Sequence, residues 1–199
     1  MQMQSDMPKG CFVAVVGPSG AGKDTIMDAA RVALAGDTRF HFVRRIITRP
    51  QMPGTEDHDS LDETAFAKSA GEGAFALHWQ AHGLSYGLPK SVEDEIADGT
   101  VVIANVSRRV LGDIRRLYTS RSVVVITARP DVLAERLASR GRESRDEIAA
   151  RLAREVSFDD GAGDVVTIDN SGDVNASTET FLHHLKEITA KSIAYGKHL

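Results

Sequence analysis

The 199-residue chain predicts an α/β three-layer fold: a five-stranded, mostly parallel sheet with helices on both faces. Three observations point there. Short runs rich in Val and Ile recur along the chain, as strands buried on both faces require. Stretches with helical periodicity separate them, as parallel strands need crossover connections. A glycine-rich turn joins the first apolar run directly to the first helical stretch.

The predicted strands are Phe12–Val16, Phe42–Ile47, Val101–Asn105, Val123–Thr127 and Val165–Asp169. The predicted helices are Thr25–Ala35, Ser91–Ala97, Arg109–Tyr118, Asp131–Ser139, Arg145–Val156 and Ala176–Ser192. Pro130-Asp131 is a helix start, because proline's fixed φ suits a first helical turn. Phe181, Leu185 and Ile188 give the last helix an apolar face. Two regions interrupt the alternation. Residues 48–88 form a polar, glycine-bearing insert with one short helix near Leu61–Ser69, and residues 140–146 form a charged turn between two helical stretches. Long inserts in compact domains commonly act as binding loops or lids.

Length fits one domain over residues 1–199 with a sizeable core. The formal net charge of −4 argues against a nucleic-acid binder. No apolar run approaches membrane-spanning length. The opening MQMQSDMPKG lacks the basic and apolar regions of a secretion signal. The single cysteine, Cys11, reads as a small buried hydrophobe and suits a reducing, cytoplasmic setting.

The chemistry begins at Gly17-Pro18-Ser19-Gly20-Ala21-Gly22-Lys23, which fits G-x-x-x-x-G-K between a strand and a helix. The glycines let backbone N–H groups close around phosphate oxygens, and the following helix aims its positive dipole end at the same anion. Lys23 adds a mobile cation for the terminal phosphates. The string therefore implies a nucleoside-triphosphate site. Asp24 stands where Ser or Thr usually holds Mg²⁺, with Thr25 one place later. Asp24 either ligates Mg²⁺ or one of its waters, or serves as a helix N-terminal acid.

Arginines cluster at 136, 140, 142, 145, 151 and 154, interleaved with acids. Arg136 and Arg140 share one helix face, and Arg151 falls on the next helical stretch across the turn. Over a polyphosphate these form a lid; otherwise they are a solvated charged surface. Arg44, Arg45 and Arg49 bracket the end of the second strand, and Arg108-Arg109 follow the third. Such cations can hold phosphates on an acceptor, beside Trp79 and Tyr86.

The strings GPSGAGKD, ITRPQMPGTED, GLSYG and ERLASRGRES with RLAR resemble the guanylate kinase superfamily from the phosphate loop to Asn170. The set GKD, ITR, HWQAHGLSYG, NVSR and RGRE is similar to its ribose 1,5-bisphosphate phosphokinase branch. The resemblance implies ATP and Mg²⁺, with the γ-phosphoryl group passing to the 1-phosphate of ribose 1,5-bisphosphate to give 5-phosphoribosyl 1-diphosphate. It implies ATP contacts at Gly17–Thr25 and Asn170, and catalytic roles for Lys23, Arg136, Arg140 and Arg151. Acceptor contacts fall to Arg45, Arg49, Glu56, Tyr86, Arg108 and Arg109, and metal contacts to Asp24 and Thr25. It further implies small-molecule partners only, a role in phosphonate breakdown, and room for a homodimer. A guanylate kinase acting on GMP is the alternative, and a non-catalytic interaction module a more distant one. Against the first, VVIANVSRRV carries Asn105 and Ser107 where that family has a carboxylate.

Overall fold

The computed structural model describes residues 10–51, 57–139 and 163–195. Five strands form the central sheet: β1 (Cys11–Val16), β2 (Phe40–Phe42), β7 (Val101–Asn105), β8 (Arg121–Thr127) and β9 (Val165–Asp169), in spatial order β2-β7-β1-β8-β9. Every neighbouring pair is parallel. Alternate residues of β1 feed opposite faces, as period-two geometry requires. Cys11, Val13 and Val15 join one core with Ile26, Ala30, Leu133, Ile168, Phe181 and Leu185. Phe12, Ala14 and Val16 join another with Val92, Leu111, Ile114 and Tyr118. The first core is covered by α1 (Lys23–Ala33), α5 (Pro130–Ser139) and α6 (Val174–Tyr195), and the second by α3 (Ser91–Ala97) and α4 (Leu111–Leu117). The three expected layers are therefore present. Cys11 is buried in β1, and desolvation pushes its thiol up to about 11.

A second sheet arises from the insert, in order β4-β3-β6-β5: β3 (Arg45–Ile47), β4 (His58–Ser60), β5 (Phe75–Ala81) and β6 (Leu84–Pro89). Its helix is α2 (Glu63–Gly71), whose Asp62 cap accepts from the Ala65 amide at 2.7 Å. One expectation is corrected here. The single strand predicted over Phe42–Ile47 is two strands in two sheets. The chain leaves the central sheet after the buried Val43, whose amide still donates to the Ile103 carbonyl at 2.9 Å, so the charged pair Arg44-Arg45 falls beyond that sheet. The insert is also more regular than its polar composition suggested, since β5 and β6 form a hairpin turning at His82 (φ 52°) and Gly83 (φ 72°).

Smaller differences lie at element ends. Helix α1 starts at Lys23 rather than Thr25, and the helix predicted at Arg109 begins as one 3₁₀ turn over Arg108–Val110. The expected helix Arg145–Val156 and the lid turn lie outside the described residues. At the start of β9, Asp164 accepts from Arg115 of α4 at 3.0 and 3.2 Å and from Arg121 of β8 at 2.9 Å. The Arg115 contact leads in holding its carboxyl below the ordinary aspartate value.

Candidate active site

The loop between β1 and α1 meets the ends of β7 and β8, where open parallel sheets bind ligands. Its turn depends on backbone that only glycine accepts. Gly17 has φ 146°, and a Cβ there would lie 1.9 Å from the Ile126 carbonyl oxygen of β8. Gly22 caps α1 at φ 89°, and a Cβ would lie 2.4 Å from Asn170 Nδ2. No side chain caps α1, so its first N–H groups face the loop with no intrahelical acceptor. Lys23 Nζ donates to the Gly17 carbonyl at 2.8 Å and to the Pro18 carbonyl at 2.9 Å, which holds the ammonium against the loop. Backbone donors, a helix N-terminus and a cation thus converge, the chemistry of a polyphosphate cradle.

Two sequence-predicted residues brace this cradle from outside. Asn170, only 2% exposed, donates from Nδ2 to the Ala21 carbonyl at 2.8 Å. Its Oδ1 is buried with no hydrogen-bond partner. Arg136 of α5 donates to the Asn170 carbonyl at 3.0 Å and reaches the Gly20 carbonyl at 3.5 Å. Arg136 therefore ties α5 and the end of β9 to the loop.

Asp24 is exposed on the first turn of α1, and its Oδ1 accepts from Asn105 Nδ2 at 2.9 Å. Asn105 itself is 8% exposed, at the end of β7. Thr25 is exposed one residue on. Among the described residues no three His, Cys, Asp or Glu side chains gather into a metal cage. A single oriented carboxylate beside a phosphate cradle suits Mg²⁺, which keeps waters and borrows phosphate oxygens. The donor set therefore fits that ion.

A cavity opens beside this pair, lined by Asp24, Asp28, Arg31, Arg44, Asp57 and Asn105, so core and insert face one space. Arg44 pairs there with Asp57 and Asp59, each at 3.0 Å. On the insert, Arg45 lies over the Tyr86 ring at 5.1 Å, and Tyr86 stacks on Trp79 with centroids 5.4 Å apart. Arg49 sits on a bend after β3, and its Nε is buried with no hydrogen-bond partner. An unmet buried donor costs about 1–3 kcal/mol until an acceptor arrives. Arg108 and Arg109 occupy the 3₁₀ turn after β7, capped where the Arg109 amide donates to Ser107 Oγ at 3.3 Å. Glu56, Arg140 and Arg151 lie outside the described residues.

Trp79 lies where the sequence put it, beside Tyr86, whereas the contact of Asn105 with Asp24 and the place of His58 behind Arg49 are structural features that sequence reasoning did not foresee. A polar residue ending a buried strand next to β1 was the available signal for Asn105. Trp79 stands opposite Tyr86 in the hairpin, which the period-two pattern Phe75–Ala81 encodes.

No family model matches the chain. Among relatives, a ribose 1,5-bisphosphate phosphokinase PhnN from Brucella melitensis is 83% identical over 192 residues, covering 96% of this chain and 100% of the relative. One of the same name from Methylobacterium radiotolerans is 49% identical over 177 residues, covering 89% and 98%. Among solved structures, a guanylate kinase from Anaplasma phagocytophilum aligns with TM-score 0.63 at 17% identity, covering 90% of this chain and 86% of that one. A gluconokinase from Sinorhizobium meliloti aligns with TM-score 0.51 at 15% identity, covering 97% and 99%. Those two likenesses establish the fold alone, whereas full-length identity of 83% establishes membership: the chain belongs to the ribose 1,5-bisphosphate phosphokinase family.

Proposed function

We propose that this chain is a kinase that transfers the γ-phosphoryl group of ATP to the 1-phosphate of ribose 1,5-bisphosphate, giving 5-phosphoribosyl 1-diphosphate and ADP. The observation that carries the transfer chemistry is the uncapped α1 N-terminus at Gly22 with the Lys23 ammonium held against the loop. The choice of acceptor follows the full-length relatives, which are named as ribose 1,5-bisphosphate phosphokinases. It agrees with a site that offers cations, and an amide at Asn105, where a purine reader would offer carboxylates.

The loop amides and Lys23 take the β- and γ-phosphates. An oxygen of the acceptor 1-phosphate attacks the γ-phosphorus, and the bond from that phosphorus to the β-bridging oxygen breaks. That oxygen is anionic at neutral pH, so no general base is needed. Catalysis is positioning and charge stabilisation. Arg136, with Arg140 and Arg151, neutralises the transferring group, and Arg136 also braces the loop. Asp24, oriented by Asn105, is the residue that would hold Mg²⁺, which supplies positive charge to the phosphates when bound. Thr25 adds a hydroxyl one position later. Arg49, Arg45 on Tyr86, Glu56, Arg108 and Arg109 bind the two acceptor phosphates and the sugar. A cytoplasmic location and a role supplying a ribosyl donor fit this chemistry; among the described residues no helix is long and apolar enough to cross a membrane.

The test is ADP release measured side by side with ribose 1,5-bisphosphate and GMP. The expected result is kcat/KM at least a hundredfold higher for the sugar bisphosphate, since base-reading groups discriminate by about that much or more. Preference for GMP overturns the acceptor assignment.

A further inference from the structure

We infer that His58, assisted by Ser60, is a positioning residue that sets Arg49 for the acceptor phosphate. The inference rests on the reading of Arg49 given above. Residues 48–51 form a bend with no ladder of their own, yet their backbone is fixed from two sides. On one side, Thr48 exchanges bonds with β6: its amide donates to the Ser85 carbonyl at 3.0 Å, and its Oγ1 accepts from the Ser85 amide at 2.8 Å. On the other side, β4 sends two donors to a single atom, the Arg49 carbonyl oxygen: His58 Nε2 at 3.1 Å and Ser60 Oγ at 2.7 Å. Residues two apart on a strand share a face, so one short strand delivers both. They use both lone pairs of that carbonyl. The Gln51 side-chain amide closes the arrangement by donating to the His58 carbonyl.

His58 is 1% exposed, and packing alone would be served by an aliphatic residue. What the imidazole adds is a ring N–H, and a carbonyl partner requires the proton on Nε2. The main chain of Arg49 is thereby held in one place while its Nε–H stays buried and unmet. A rigid mount carrying an unsatisfied cationic donor is built to meet an anion. Displacing such a mount by a fraction of an ångström weakens the productive geometry.

The test compares His58→Leu, His58→Gln, Ser60→Ala and Arg49→Ala in the full chain. It measures kcat, KM for ribose 1,5-bisphosphate, KM for ATP and the thermal midpoint. His58→Leu keeps bulk but removes the donor, and should raise the acceptor KM about tenfold with the ATP KM unchanged. His58→Gln supplies an amide N–H and should recover most of that loss, which a merely space-filling role would not show. Ser60→Ala should raise the acceptor KM a few-fold with little change in thermal midpoint, and it carries the test if His58→Leu does not fold. A wild-type acceptor KM in the folded His58 and Ser60 variants, alongside a raised one in Arg49→Ala, overturns the inference alone. An unchanged acceptor KM in Arg49→Ala refutes the reading of Arg49, and the inference with it.

Discussion

On the proposed function, the phosphate loop and the insert solve the same problem, holding anions, by different means. The loop is fixed by backbone: Gly17 abuts the Ile126 carbonyl, Gly22 abuts Asn170, and the buried amide of Asn170 ties down Ala21. The insert instead presents guanidinium groups on side chains. Arg45 rests on an aromatic ring, and Arg44 is shared between Asp57 and Asp59 at half-exposed positions. The difference teaches where tolerance lies. Backbone cradles admit no added atom, while exposed ion pairs are worth little individually and exchange readily for a ligand's phosphate.

The comparison breaks most sharply at Lys23. Lys23→Ala should lower kcat on the order of 10²–10³-fold, as loss of one preorganised donor to developing charge does, with an unchanged thermal midpoint. Undiminished turnover contradicts the loop's role. Gly22→Ala should follow, because the new Cβ meets Asn170 Nδ2 in a left-handed conformation. At least a tenfold loss of ATP affinity by equilibrium titration is expected, and wild-type affinity would mean that the loop is softer than its contacts indicate.

Asp164 sharpens the comparison in the core, away from either site. Its carboxyl is held below the ordinary aspartate value of about 3.9, first by the Arg115 hydrogen bond. A depressed folded pKa contributes stability that is present above that ordinary value and disappears as pH falls through the lower, folded one. Asp164→Asn should therefore lose about 1–3 kcal/mol at pH 7, and the gap from wild type should close below about pH 4. A pH-independent difference in denaturant titrations would show that shape, not charge, matters there. The smallest effect belongs to the insert. Tyr86→Leu removes the ring under Arg45 and should raise the acceptor KM about threefold, the value of an exposed cation–π contact, with ATP KM unchanged.

Legibility in the sequence followed the same division. Four of the central strands declare themselves by runs rich in Val and Ile, and β7 and β9 have the predicted bounds, whereas β2, Phe40-His41-Phe42, carries no such run. The phosphate loop is legible because its function is backbone conformation, which Gly17, Gly20 and Gly22 encode locally. The insert sheet was harder. Strand β4 is His58-Asp59-Ser60, whose polar letters look like loop, and it exists because it pairs with β3 and clasps residue 49. The split between β2 and β3 at Arg44 was hidden, since Phe42–Ile47 reads as one run and only the chain's departure from the central sheet after Val43 divides it. The Asp24–Asn105 contact joins residues 81 apart in sequence, and only the parallel pairing of β1 with β7 makes them neighbours.

The most direct test of the central claim follows the transferred phosphorus itself. Phosphorus NMR of a reaction containing ATP, Mg²⁺ and ribose 1,5-bisphosphate should show the C1 monophosphate signal replaced by a coupled diphosphate pair as ADP accumulates. ATP consumption with the C1 monophosphate signal intact would contradict it.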